Sequence, residues 1–188
     1  AVVLDFPEEI LGKIGKIVAF FKTQTPEHAL KWVDPGIMHL TLKFIGEIPE
    51  NALHKVQDMM TLTLQDQHPF NLTIEGLGMY PNYRNPRAVW LGISYDQALI
   101  KIHKKLDQEL ARINIPSEKR AFSPHLTVAR LRRNIETQTA RSIGETLSQF
   151  KVDTLGTVLV QDIQLYQSQL TPTGPIYTRL LTIPLNLV

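Results

Sequence analysis

The stretch 37-IMHLTLKFIGE-47 sets a histidine and a threonine two positions apart in an otherwise apolar run, and 123-SPHLTVARLRR-133 repeats the phrase. In a β-strand, side chains two residues apart face the same side. His39 and Thr41 therefore project together while Leu40 and Leu42 point the other way, and His125 and Thr127 do the same against Leu126 and Val128. Each strand offers an imidazole beside a hydroxyl. By the same alternation Lys43 shares the His39 face, where the second strand has Ala129. Arg130 comes next, and alternation turns it away from the histidine unless the strand ends or bulges there.

The two histidines stand 86 residues apart (125 − 39), close to half of the 188-residue chain, and similar elements surround each of them. VVLDF at 2–6 predicts a strand. Pro7, Glu8 and Glu9 open a helix through about residue 22, because proline and acids suit a first helical turn. Ile10, Leu11, Ile14, Ile17 and Val18 recur at helical spacing, so one face of it is buried. A loop carrying Pro26, Pro35 and Gly36 leads to the first motif strand, a second helix starts near Pro49, and FNLTIEGLGMY predicts a strand over about 70–80. Beyond the turn-rich PNYRNPR the order returns: strand at 88–94, helix at 97–110, the second motif strand, helix at 135–150, strand material around 150–168 and a final apolar piece, YTRLLTIPL. This pattern predicts an internally duplicated α+β fold. The expectation is one domain over 1–188, with two lobes of antiparallel sheet plus helices related by a pseudo-twofold axis around a central cleft. The lobe-forming repeats are approximately 1–80 and 88–188, and strands are free to cross between lobes.

Charge and composition narrow the function. Lysine and arginine total 20 against 18 acidic residues, a formal charge of +2, too balanced for a general nucleic-acid coat. Basic residues cluster locally, in RLRR at 130–133, in EKR at 118–120 and at Arg84 and Arg87, as a local anion site or as solvated surface charge. The absence of cysteine excludes disulfides and thiolate metal sites and fits a reducing compartment. No apolar run approaches the ~18 residues of a membrane span, so the expectation is a soluble, cytoplasmic protein without membrane contact.

Two histidines facing each other across a cleft suit in-line displacement at a phosphodiester. A neutral imidazole takes a proton from the attacking oxygen while an imidazolium gives one to the departing oxygen, and histidine holds both forms near neutral pH. The threonine hydroxyls can donate to the non-bridging phosphate oxygens. This chemistry needs no metal and no cofactor. The other histidines, His28, His54, His68 and His103, lack His-Glu-x-x-His or comparable spacing, and His103, on a predicted helix, reads as a surface or boundary residue. Ser123 belongs to no Gly-x-Ser-x-Gly elbow, and GLG at 76–78 precedes no Gly-Lys-Ser/Thr.

At these residues the chain resembles the two-histidine phosphoesterase superfamily, and within it the RNA 2′,3′-cyclic phosphodiesterase family, also called 2′-5′ RNA ligase. WVDPGIMHLTLKFIGEIPE, YRNPRAVWLGI, FSPHLTVARLRR and LYQSQLTPTGPIYT are similar to family segments in the family's order. The resemblance implies a bilobal fold with His39, Thr41, His125 and Thr127 lining the cleft, and hydrolysis of a terminal ribose 2′,3′-cyclic phosphate on RNA or a nucleotide to a 2′-phosphate. It implies His39 as proton donor and His125 as proton acceptor, a division that the near-identical motifs cannot make by themselves. Thr41, Thr127 and Arg130 are the expected phosphate contacts, and a monomer is expected. Alternatives are 2′-5′ ligation or cleavage of a 2′-5′ linked oligonucleotide. A non-catalytic RNA-binding module is the reading from another class, but LKFIGE and VARLRR lack the aromatic set that such modules place on a strand.

Overall fold

Antiparallel pairing gathers the chain into two sheets, and the computed structural model describes residues 1–95 and 97–187 of it. The strands are β1 (Val2–Asp5), β2 (Leu30–Trp32), β3 (His39–Lys43), β4 (Phe70–Tyr80), β5 (Ala88–Tyr95), β6 (His125–Leu131), β7 (Gly156–Val160), β8 (Asp162–Thr171) and β9 (Gly174–Pro184). The helices are α1 (Glu8–Gln24), α2 (Leu53–Leu64), α3 (Gln97–Ala111) and α4 (Thr137–Ser148). One sheet has the order β3-β1-β8-β9 and the other β2-β6-β5-β4-β7. Sequence periodicity anticipates most of these elements. It misses β2, three residues hidden among Pro26, Pro35 and Gly36, whose pairing with β6 comes from tertiary contact.

Both sheets draw on both halves of the chain, and the duplication becomes visible only when sheets are exchanged. The series β1, α1, β3, α2, β4 matches β5, α3, β6, α4, β8, but each strand of the first series lies in the sheet opposite to that of its counterpart. Thus β3-β1-β8-β9 corresponds in order to β6-β5-β4-β7, and β2 is an added edge strand. The helices follow: α3 packs on β3, and α4 packs on β4. Residues 81–87 join the two series without separating two sheets.

Apolar burial fixes the layers. On α1 the residues Ile10, Ile14, Val18 and Phe21 are buried, and Phe150 beyond α4 meets Phe20 edge-on at 5.1 Å. Each of the four buried side chains of α1 contributes on the order of 1.5–3 kcal/mol on leaving water. The motif strands use Leu40, Leu42, Leu126 and Val128 in the same way. Among the described residues no helix is long and apolar enough to cross a membrane.

Candidate active site

The edge strand β3 and the inner strand β6 come together where the two sheets meet. Their pairings are equivalent residue by residue. Against β1, Leu40 lies opposite Leu4 and Thr41 opposite Val3; against β5, Leu126 lies opposite Leu91 and Thr127 opposite Trp90. His39 lies opposite Asp5, and His125 opposite Gly92.

Both strands bulge one residue past the threonine. Lys43 pairs with Val2 and Thr41 with Val3, leaving Leu42 as the extra residue; Ala129 pairs with Val89 and Thr127 with Trp90, leaving Val128 extra. A bulge resets which face the following side chains take. Lys43 therefore leaves the His39 face, contrary to simple alternation. It is fully buried, and its Nζ donates to Asp107 Oδ1 and to the Pro116 carbonyl, each at 2.6 Å. Arg130 is turned in the opposite sense. It pairs with Ala88, which shares a β5 face with Trp90 and Gly92, so its exposed side chain lies on the His125 and Thr127 face. The matching position after β3 is Phe44, 70% exposed.

The bulge carbonyls are both satisfied. Leu42 O accepts from His103 Nδ1 at 2.8 Å, and Val128 O from the Val33 amide at 2.9 Å. His103 is thus neither surface nor boundary: it is buried and stacks on Phe122 at 4.0 Å. Its helical position gives no hint of this, because the carbonyl that it serves is 61 residues away.

The two imidazoles are held alike. His39 Nδ1 lies 3.1 Å from the Ile37 carbonyl and His125 Nδ1 2.7 Å from the Ser123 carbonyl. A carbonyl only accepts, so Nδ1 carries a proton in both rings, and the neutral form presents an unprotonated Nε2. Local sequence prepares each turn. Asp34 accepts from the Gly36 amide at 2.9 Å in the 3₁₀ turn Pro35–Ile37, and the buried Pro124 follows Ser123.

The surroundings of the two rings differ. His39 is half-buried between Tyr177, edge-on at 4.7 Å, and Tyr166, edge-on at 5.4 Å. Burial pushes its pKa below the ordinary histidine value, and the Ile37 carbonyl and the Asp5 carboxylate work against that fall. Asp5 accepts from Tyr166 Oη at 2.5 Å and from Arg179 Nη2 at 2.6 Å. A cavity of about 460 Å³ beside this group is lined by Asp5, Ile37, Met38, Tyr166, Tyr177 and Arg179. His125 is exposed and has Trp90 at 5.7 Å. The Trp90 ring lies across Gly78, where any Cβ would fall inside it. A second hollow, about 630 Å³ with Glu75, Phe150, Lys151 and Thr154 among its walls, takes no residue from either motif.

Sequence reasoning missed Asp5, Tyr166, Tyr177 and Arg179. The signal for Asp5 is the likeness of VVLDF to VWLGI, which aligns Asp5 with Gly92 once the motif histidines are superposed. Among the described residues no group of three or more His, Cys, Asp or Glu side chains is placed to hold a metal ion. Of the other basic clusters, Arg84 lies over Tyr83 at 5.7 Å, and the segment at 118–120 is tied to the end of β3, where the Glu118 carboxylate accepts from the Phe44 amide at 3.3 Å and the Glu118 amide donates to Asp107 at 3.0 Å.

Two sheets of matching order, each presenting a histidine and a threonine on equivalent bulged strands, define a duplicated two-histidine protein. The chain belongs to the 2′-5′ RNA ligase superfamily, whose sequence model matches residues 6–169. It is 32% identical over 177 residues to the RNA 2′,3′-cyclic phosphodiesterase of Methanothermobacter thermautotrophicus, covering 93% of this chain and 92% of that one. It is also 32% identical over 174 residues to the protein of the same name from Methanocaldococcus jannaschii, covering 93% of each. The fold matches TT0787 of Thermus thermophilus with a TM-score of 0.77 at 24% identity, over 98% of this chain and 96% of that one. It matches E. coli LigT complexed with 3′-AMP with a TM-score of 0.76 at 24% identity, over 98% and 95%.

Proposed function

We propose that this protein is an RNA 2′,3′-cyclic phosphodiesterase that opens a terminal 2′,3′-cyclic phosphate to a 2′-phosphate. The observation that carries the reading is the pair of equivalent imidazoles, each with Nδ1 committed to a backbone carbonyl and Nε2 left for proton transfer. The names of the relatives at 32% identity support the substrate class.

His125 Nε2 takes a proton from water as the water oxygen bonds to phosphorus. The bond from phosphorus to the 3′ oxygen breaks on the opposite side, and that oxygen receives the proton from His39 Nε2. The product carries a 2′-phosphate and a free 3′ hydroxyl. Exchange with solvent then returns a proton to His39 and removes one from His125. Thr41 and Thr127 donate to the non-bridging oxygens as charge gathers there. Arg130, on the His125 face, supplies a cation for the same oxygens. Phe44, in the matching position of the other motif, offers an exposed ring for stacking by a base.

The deciding experiment is incubation with a nucleoside 2′,3′-cyclic phosphate in excess chelator, followed by chromatographic identification of the product isomer. The 2′-phosphate is expected. A 3′-phosphate, or turnover that returns only with an added divalent ion, would overturn the proposed reaction.

A further inference from the structure

The two motifs share their pairing, their bulge and the carbonyl contact of Nδ1, yet proton transfer requires one imidazole to be charged and the other neutral. The difference lies one strand away, in the residues opposite the histidines. We propose that Asp5, clamped by Tyr166 and Arg179, is a positioning residue that opposes the loss of the His39 proton and so keeps the first motif able to act as the proton donor.

Directly opposed residues of an antiparallel pair put their Cβ atoms about 4.5–5.5 Å apart on one face. Asp5 holds that relation to His39. Its carboxylate is fixed at both oxygens, by the Tyr166 hydroxyl on β8 and the Arg179 guanidinium on β9. Tyr166 stays a donor, because burial and the hydrogen bond to Asp5 both raise its pKa above the ordinary phenol value. Tyr166 and Tyr177 meet the His39 ring edge-on, limiting its rotation and the water around it. The groups that bear on the charge of His39 are therefore Asp5 from β1, Tyr166 from β8, Tyr177 and Arg179 from β9, and the amino-terminal ammonium, which donates to the Tyr166 carbonyl at 2.9 Å. Burial and the ammonium favour the neutral ring; Asp5 and the Ile37 carbonyl favour the charged one.

No such carboxylate can occupy the place opposite His125. Gly92 stands there, and a Cβ on it would come within 2.5 Å of the Glu75 carbonyl oxygen. Glu75 directs its own carboxylate along β5 to Ser94 Oγ at 2.5 Å and Thr154 Oγ1 at 3.0 Å. Symmetry is thus broken by two neighbouring strands whose own packing excludes the alternative.

The inference rests on the proposed role of His39, but its first test needs no substrate. The imidazole resonances of His39 and His125 are titrated by NMR in the wild type, in Asp5→Asn and in Arg179→Gln. Removing an opposite charge at this range displaces a midpoint by roughly one pH unit or more. The His39 midpoint should fall by about that much in Asp5→Asn while His125 holds its value, and should rise in Arg179→Gln, where the carboxylate loses its neutralising partner. Loosening of the site would instead hydrate His39 and raise its midpoint in Asp5→Asn, which overturns the inference, as does no change in either variant. If Asp5→Asn fails to fold, Arg179→Gln decides, since that side chain is 55% exposed and outside the core; an unchanged or lowered midpoint there counts against the proposal. Asp5→Glu should restore much of the wild-type midpoint. Kinetically, Asp5→Asn should lose about tenfold at neutral pH with a ribose leaving group and little with an aryl leaving group that needs no proton. Equal losses with both would reject the proton-donor assignment while leaving the titration result to stand or fall by itself.

Discussion

Lys43 Nζ lies 2.6 Å from Asp107 Oδ1, joining the end of β3 to α3 with the lysine fully buried and the carboxylate partly exposed. The pair fixes the strand just after Thr41. Breaking it by removing one partner of a buried pair costs roughly 3–5 kcal/mol when the other charge is left stranded. Asp107→Asn strands a buried ammonium, whereas Lys43→Met removes it and leaves Asp107 with the Glu118 amide. Urea unfolding should therefore rank Asp107→Asn as the less stable variant, and the reverse order would contradict this account of β3. Burial acts to raise the Asp107 pKa, and hydrogen bonds from Lys43 and Glu118 together with the Lys43 charge outweigh it and bring it below the ordinary value. The stability from this lowering is complete above the unfolded value near ~3.9. It is lost as pH falls through the lower folded value.

Replacement of either motif histidine by alanine should reduce turnover by about 10²–10⁴-fold with the fold retained. Thr41→Ala and Thr127→Ala should cost on the order of ten- to a thousand-fold. A phosphodiester with an aryl leaving group should rescue His39→Ala and leave His125→Ala inactive. Selective rescue of His125→Ala would exchange the two roles.

Arg130 tests the bulge. Because Val128 is the extra residue, Arg130 stands on the His125 face, and Arg130→Gln should lower kcat/KM by roughly ten- to a hundredfold, the worth of a charged hydrogen bond. Arg130→Lys should recover only part, because an ammonium does not reproduce a two-pronged contact. Steady-state kinetics indistinguishable from wild type in Arg130→Gln would remove this residue from the phosphate site.

Burial lowers the His39 pKa, so in the free protein its NMR titration midpoint should lie below the ~6.5 of an ordinary histidine. A phosphate anion bound in the cleft favours the charged ring, so the midpoint should rise on addition of a nucleoside 2′-phosphate. The dependence of kcat/KM on pH should be bell-shaped, with limbs that belong to the coupled pair. A single sigmoid would mean that only one ionisation matters.

Most of the order of elements, the two His-x-Thr strands and the duplication were legible in the chain alone, because periodicity, helix-opening residues and repeated phrases are local properties. The decisive asymmetries were not. Whether residue 43 or residue 130 joins the histidine face depends on the bulges at Leu42 and Val128. A bulge is a mismatch between a strand and its partner, so neither strand reveals it by itself. The same holds for His103, buried because a bulge carbonyl 61 residues away requires a donor. It holds also for Asp5 and Gly92, which become neighbours of the histidines only when β1 meets β3 and β5 meets β6. Composition and spacing supplied two equal imidazoles; tertiary register placed a carboxylate beside one and bare backbone beside the other, because the Glu75 carbonyl oxygen of β4 lies where a Cβ on residue 92 would have to go.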